Sequence, residues 1–286
     1  MISSLNLCFL FDKLILPVLS YASEIWGFGD CVHVERVHLQ YCKNILRLKR
    51  TTASFFIYGE LGRHPLSVKR HLHIIKYWLK LVMNDTNPLV YKTYCMLYKT
   101  SEANREIVNW ASSVKGLLSN LGFGDVWLYQ GVGNVSNFLR ICEMRLKDNA
   151  YQNWNTSVQN SREGLLYKEC KLSPKYSSYF NVIKEPKYRY QFVKFITRNH
   201  RLACITGGWH KPHPIPVAQR ICSFCQVYED EYHVVLQCSK FIRLRKRYIA
   251  ERYWSRPSMH NFISLLTCSD EATVQDLAIF IYKVLK

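Results

Sequence analysis

The stretch Val34-Glu35-Arg36-Val37-His38-Leu39-Gln40-Tyr41-Cys42-Lys43-Asn44-Ile45-Leu46 decides the fold class. Val34, Val37, Tyr41, Cys42, Ile45 and Leu46 recur at three- and four-residue intervals, a spacing that collects on one face of an α-helix and scatters across both faces of a strand. Arg36, Lys43, Arg47, Lys49 and Arg50 fall mostly on other faces, so the expected helix is amphipathic and basic, with Asp30 as its N-cap. Outward from this segment the same period continues. A long helix is expected from about Leu66, after Pro65, carrying Leu72, Ile75, Tyr77, Trp78, Leu79 and Val82 to a turn at Asn84 to Pro88. Further helices are expected over roughly 89–100, 105–121 and 135–154, with Gly122 to Gly133 as a breaker. Strand-like alternation is scarce, and the fold class expected is mostly α.

The formal net charge is +18 over 286 residues, and an excess of that size on a chain with ample apolar content points to a polyanionic partner. The 11 cysteines are spread along the chain and only one group has recognisable spacing, which favours reduced intracellular thiols over a disulfide framework. Cys8, Cys42, Cys95, Cys142 and Cys170 lie in apolar helical patterns and are assigned to packing. Leu5 to Leu19 is apolar, but Asp12, Lys13 and Pro17 interrupt it and no basic leader precedes it. Neither a signal peptide nor a spanning helix fits, and a buried helix in a soluble protein with no membrane partner is expected.

Composition shifts near residue 155, which divides the chain into a helical region, 1–155, and a basic helical region, 156–286. Within the second, 173–191 is expected to be irregular and Tyr190 to Cys204 helical. An arm punctuated by prolines, Trp209 to Pro216, follows. Phe241 to Tyr253 is expected to form a basic amphipathic helix, and Met259 to Lys286 one or two closing helices.

Between the arm and the basic helix, Cys222, Cys225, His233 and Cys238 are spaced C-x2-C-x7-H-x4-C. Thiolates and imidazole are the donors that zinc prefers, and four protein donors leave no position for water. The expected cofactor is one structural Zn2+ in a knuckle spanning 222–238. His233 and Cys238 are not at same-face helical spacing, so Cys238 is expected at the end of a short helix whose acidic start is Glu229, Asp230 and Glu231. His210 and His213 are second-choice ligands.

Basic residues bracket the cluster. Lys184, Lys187, Arg189, Lys194, Arg198, Arg201, Lys211 and Arg220 precede it, and Lys240, Arg243, Arg245, Lys246, Arg247, Arg252 and Arg256 follow. Such density suits phosphate contacts, and interleaved rings can stack on unpaired bases. The residues selected as nucleic-acid contacts are Arg198, Arg201, Trp209, Lys211, Arg220, Phe224, Arg243, Lys246 and Arg247, with Trp209 and Phe224 as the partly exposed rings. The expected partner is RNA, DNA or both. The chain has no Asp-Asp pair, P-loop, H-E-x-x-H or G-x-S-x-G element, and no catalytic residue is nominated.

Leu10-Phe11-Asp12-Lys13-Leu14-Ile15-Leu16-Pro17-Val18-Leu19-Ser20-Tyr21-Ala22-Ser23-Glu24-Ile25-Trp26-Gly27 resembles the segment after the palm in reverse transcriptases of non-LTR (LINE-type) retrotransposons. So do Glu35-Arg36-Val37-His38 and Tyr58-Gly59-Glu60-Leu61-Gly62-Arg63. Arg220 to Cys225 together with Glu229 to His233 and Cys238 resembles the C-terminal zinc knuckle of the same polyproteins. The resemblance implies a helical thumb-like region followed by a knuckle that holds element RNA or target DNA, in the nucleus, beside the upstream polymerase portion of the same element. Polymerase aspartates and endonuclease are not in this chain, so the resemblance implies binding and not catalysis. Two alternatives stay open: a stand-alone zinc-stabilised protein-interaction module, and a decayed element copy without function.

Overall fold

The structure, a computed structural model, describes residues 3–83, 88–104 and 106–286. Helices dominate it, and only two isolated antiparallel bridges, Leu61 with Tyr176 and Ile221 with Tyr228, occur among the described residues. The fold is mostly α. The apolar stripe that opened the sequence reading becomes the helix Val32–Leu46. It starts one residue after Cys31, whose φ of 44° is left-handed, and not from a cap at Asp30. Asp30 instead offers its backbone carbonyl to Arg70, at 3.2 Å. Of the expected turn at Asn84 to Pro88, residues 84–87 lie outside the described residues, as does Arg105 at the start of another expected helix. No described helix is long and apolar enough to cross a membrane.

By contacts the chain falls into two units, Met1–Gln40 with His64–Trp154, and Tyr41–Arg63 with Asn155–Lys286. Composition had placed all of 1–155 together, whereas Tyr41–Arg63 belongs with the second unit.

In the first unit the core forms along Ser67–Met83, where Ile74, Ile75, Trp78 and Leu79 are buried against Ala111, Val114 and Leu118 of Trp110–Asn120 and Cys142 and Leu146 of Val135–Asn160. Asn109 caps Trp110–Asn120 through a reciprocal bond pair with Ser112. A buried Trp needs a partner for its N–H. Trp78 Nε1 donates to Tyr94 Oη at 2.9 Å, the Tyr94 hydroxyl donates to the Gln130 side-chain oxygen, and Gln130 Nε2 donates to the Trp127 carbonyl at 2.6 Å. Burial pushes the Tyr94 hydroxyl up to about 12. Arg70, also buried, donates to the carbonyls of Gly27, Gly29 and Asp30. Gly27 is required there because a Cβ would come 2.3 Å from the Ser23 carbonyl oxygen. One expectation is corrected: the apolar run Leu5 to Leu19 is not a buried helix. It buries Cys8, Phe11 and Leu16 and leaves Leu5, Phe9, Leu14 and Val18 exposed on its other side.

In the second unit Pro186–Ile196 packs against Glu271–Leu285. The expected helix from Tyr190 to Cys204 is thus shifted: it begins with Pro186 at its first turn, where proline lacks no needed N–H, and ends at Thr197. The expected single helix Phe241 to Tyr253 is broken into Ile242–Tyr248 and Glu251–Trp254 by Ile249, which is extended and whose carbonyl accepts from Trp254 Nε1 at 2.9 Å. Tyr41–Arg63 is anchored by Glu60, 1% exposed. Its carboxylate accepts from Tyr167 Oη (2.7 Å), Ser177 Oγ (2.8 Å) and the Tyr179 hydroxyl, and its carbonyl accepts from Ser177 N at 3.0 Å. Lys171 Nζ donates to Ser177 Oγ at 2.5 Å. Burial, reinforced by the Glu60 charge, pushes the Tyr167 and Tyr179 hydroxyls well above their ordinary range. Gly62, at φ 62°, lets Tyr176 approach: a Cβ would lie 2.5 Å from its backbone nitrogen.

Candidate metal centre and cationic surface

Arg220 to Glu229 forms a tight hairpin. Cys222 N donates to the Val227 carbonyl at 2.7 Å, Glu229 N to the Arg220 carbonyl at 2.9 Å, and Gln226 takes a left-handed φ of 57° at the turn. Both cysteines of the first pair therefore point from one loop. The second half is a single π-helical turn, His233–Gln237, closed by Cys238 N donating to the His233 carbonyl at 2.7 Å. An i to i+5 turn brings together residues five apart that an α-helix would separate. Cys238 follows that turn directly, and the wider turn solves the His233 to Cys238 spacing.

The ligand atoms of Cys222, Cys225, His233 and Cys238 all lie within 4.8 Å of one another, so the four residues could hold a metal ion. Cys225 Sγ is 3.7 Å and Cys222 Sγ 3.9 Å from Cys238 Sγ. Sulfurs at zinc–thiolate bond length on the corners of a tetrahedron stand about 3.8 Å apart. Both ring nitrogens of His233 are buried and make no well-formed hydrogen bond, although the Gln237 side chain interacts with the ring. A buried imidazole so poorly partnered is costly in a purely organic site and would be satisfied by an ion on one of its nitrogens. His210 and His213, the second-choice ligands, are exposed on the arm and are not in the cluster.

The three acids between the donor pairs each have a structural task. Glu229 Oε2 accepts from Ala203 N at 2.7 Å, at the start of the helix Ala203–Thr206. Asp230 Oδ1 accepts from His233 N at 2.8 Å and caps the turn that carries the ligand. Glu231, buried, lies 2.8 Å from His200 Nε2 and 3.1 Å from Arg198 Nε. Burial alone would raise the Glu231 carboxyl, but the His200 hydrogen bond and the Arg198 charge prevail and hold it below the usual carboxylate range. His200, Cys204 and Glu231 also cluster at metal-binding distance. There, however, Leu202 N donates to His200 Nδ1 at 3.3 Å, which leaves Nε2 to carry the proton to Glu231, and Arg198 already supplies a cation. That group is a polar staple between residues 198–204 and the knuckle.

Arg245 was counted among the basic run but is 2% exposed. Its guanidinium donates to the carbonyls of Val235 (2.7 Å), Cys238 (2.8 Å) and Val234 (3.4 Å). The Val234 and Val235 carbonyls are ones that the end of a helical turn leaves open, and the Cys238 carbonyl also accepts from Phe241 N at 3.2 Å. Burial depresses its ionisation, and the neighbouring Cys238 and Cys225 oppose that effect. No feature of the sequence separates Arg245 from Arg243, Lys246 and Arg247, which are exposed.

The nominated nucleic-acid contacts divide in the same way. Arg201, Lys211, Arg243, Lys246 and Arg247 are exposed, as are Trp209 (48%) and Phe224 (62%). Arg198 is paired with Glu231, and Arg220 donates to the carbonyls of Ile215 and Cys204 at 3.0 Å each while lying against Gly207. Their guanidinium groups are engaged within the unit.

Comparison of the chain with protein-family models, with curated proteins and with solved structures finds no match.

Proposed function

We propose that the four-residue cluster holds one structural zinc ion and that the module around it binds nucleic acid through its exposed cations. In the terms of the resemblance above, the chain is the C-terminal part of a non-LTR retrotransposon reverse transcriptase. It works in the nucleus, where it positions RNA or target DNA for a polymerase site that lies elsewhere. Catalysis is not assigned to it. One observation carries the reading: a sulfur and imidazole cluster of tetrahedral dimensions, with the His233 ring nitrogens buried, lies in the same unit as a set of exposed basic side chains. Zinc supplies cross-linking and no reaction. Cys222 and Cys225 fix the hairpin to the turn bearing His233 and Cys238, and Arg201, Lys211, Arg243, Lys246 and Arg247 meet phosphates. Metal analysis of purified protein and electrophoretic shifts at rising salt form the test. The expected result is one zinc per chain, lost on Cys222→Ser with Cys225→Ser, and affinity that falls with salt. Absence of stoichiometric zinc defeats the metal assignment. A basic surface that captures only acidic protein, insensitive to nuclease, defeats the nucleic-acid assignment.

A further inference from the structure

Far earlier in the chain than the knuckle, the turn after Val32–Leu46 carries Arg47, Lys49 and Arg50, all exposed. It belongs to the second unit. Lys43 Nζ donates to the Arg50 carbonyl at 2.6 Å, and Thr52 Oγ1 donates to Asn199 Oδ1 at 2.8 Å, which fixes the turn beside residues 197–201. Lys49 Nζ then stands over the Trp209 ring, 3.7 Å from its centroid, and the Arg47 guanidinium stands 4.2 Å from the Tyr190 ring centroid. The arm bearing Trp209 is itself held: Ile215 N donates to the Gly207 carbonyl at 2.8 Å, and Arg220 grips Ile215 and Cys204 from the first residue of the knuckle hairpin.

A large ring that remains 48% exposed, on a braced arm, with a lysine on it, offers open aromatic surface beside a cation. A surface cation–π contact contributes little. The surrounding charges also work against it: partial burial, then the charges of Arg201 and Lys194, hold the Lys49 ammonium below its ordinary range. Like charges held together are relieved when an anion enters. A flat ring beside a group of cations is complementary to a base beside its phosphate. Bases in a duplex are already stacked on one another, so a single side-chain ring finds a free face only on an unpaired strand.

We propose that Lys49 and Trp209 form a clamp for one nucleotide of an unpaired nucleic-acid strand, with the base on the exposed indole and the phosphate on Lys49, Lys194 and Arg201. This rests on the nucleic-acid reading above and adds to it a segment, residues 47–52, that the basic runs around the knuckle did not include. The clamp chemistry is common to RNA and single-stranded DNA.

The test uses the full chain loaded with zinc and three short fluorescein-labelled probes, oligo(U), oligo(dT) and a duplex, read by anisotropy. Trp209→Ala should weaken both unpaired probes by about fivefold to about 150-fold, the range of one lost base stack, and leave the duplex within about twofold. Trp209→Phe should restore most of the loss. Lys49→Ala should lower the salt slope on the unpaired probes by about 0.7, one phosphate contact. Combined with Trp209→Ala it should cost less than the sum of the two, since both groups serve one nucleotide. Tighter binding of oligo(U) than of oligo(dT), in a clamp confirmed by those variants, identifies RNA as its ligand. Both substitutions are at exposed positions, and zinc content and circular dichroism verify the fold. If wild type binds the probes and neither variant changes strand affinity, or if duplex binding falls equally, the clamp is refuted while the wider reading stands. If wild type binds none of the three, the wider reading fails as well.

Discussion

Replacing Arg245 by methionine separates the metal centre's internal cation from the exposed cations beside it. The guanidinium makes two short bonds, to the Val235 and Cys238 carbonyls, and a longer one to Val234. A buried carbonyl left without a donor costs about 1–3 kcal/mol; the Cys238 carbonyl keeps the Phe241 N–H at 3.2 Å, so the loss strands the Val235 carbonyl and should destabilise the metal-free unit by about 1–3 kcal/mol. Methionine regains part of this through its apolar surface and because no charge has to be desolvated, which places the expected net cost at about 1–2 kcal/mol. The loaded site should lose more. Three thiolates and an imidazole around a divalent ion leave one negative charge, and Arg245 is the buried cation on the backbone of Cys238. Loss of such an outer partner typically lowers metal affinity about 10- to 100-fold. Chelator competition gives that affinity, and urea titration with and without zinc gives the stability. Arg245→Lys should fall between, because one ammonium cannot span carbonyls that a planar fork reaches together. Wild-type zinc affinity together with an unchanged urea midpoint in Arg245→Met would refute the reasoning.

Removal of zinc by a chelator, or Cys225→Ser, should abolish the protection of the 220–238 segment from proteolysis while helices of the first unit stay protected; equal protection with and without metal would contradict a folding role for the ion. Glu60→Ala should strand the hydroxyls of Tyr167, Ser177 and Tyr179, at about 1–3 kcal/mol each and not additively, enough to approach the whole stability of an ordinary domain. An unchanged urea midpoint would overturn the anchoring role. Burial pushes the Cys142 thiol from 9.0 up to about 12. The folded form thus keeps a proton that the unfolded chain releases, so this contribution is whole below about pH 9 and falls by about 1.4 kcal/mol per pH unit toward about pH 12. Cys142→Ala should flatten the alkaline stability slope by one proton, and an unaltered slope would show that the thiol is not the group responsible.

The helical class was legible in Val34 to Leu46 because apolar periodicity depends only on local geometry. The clustering of the four donors was legible because metal sites built from thiols and imidazole restrict both donor type and spacing. What stayed hidden depends on which distant residue arrives. The sequence contains nothing to tell that Glu60 would meet Tyr167, Ser177 and Tyr179, and hence that Tyr41–Arg63 would leave its neighbours for the second unit. The break at Ile249 escaped for a related reason: no proline or glycine marks it, and its carbonyl is turned out to meet Trp254. Likewise the run Leu5 to Leu19 has the composition of a buried helix, yet half of that face is left uncovered by the rest of the unit.

Basic residues in this chain occupy two physically different settings, engaged within the fold or exposed, and composition merges them. Arg70, Arg220 and Arg245 turn their guanidinium groups onto backbone carbonyls at loop and turn ends, and Arg198 meets Glu231. A guanidinium has several donors in one plane and can satisfy carbonyls that short, broken helices leave unpaired, which a fold of many short helices needs often. Such residues add to the net charge of +18 without being available to a polyanion. The salt dependence of binding tells the two kinds apart, because it counts only cations that displace counterions from phosphate. Arg243→Ala should lower the slope of log affinity against log salt by about 0.7–0.9, according to the strand form bound. Arg198→Met, whose partner Glu231 would lose a cation, should reduce stability and leave that slope unchanged in the fraction that remains folded. If Arg198→Met lowers the slope as much as Arg243→Ala does, then Arg198 leaves Glu231 for phosphate when nucleic acid binds, and the division between internal and external cations does not survive binding.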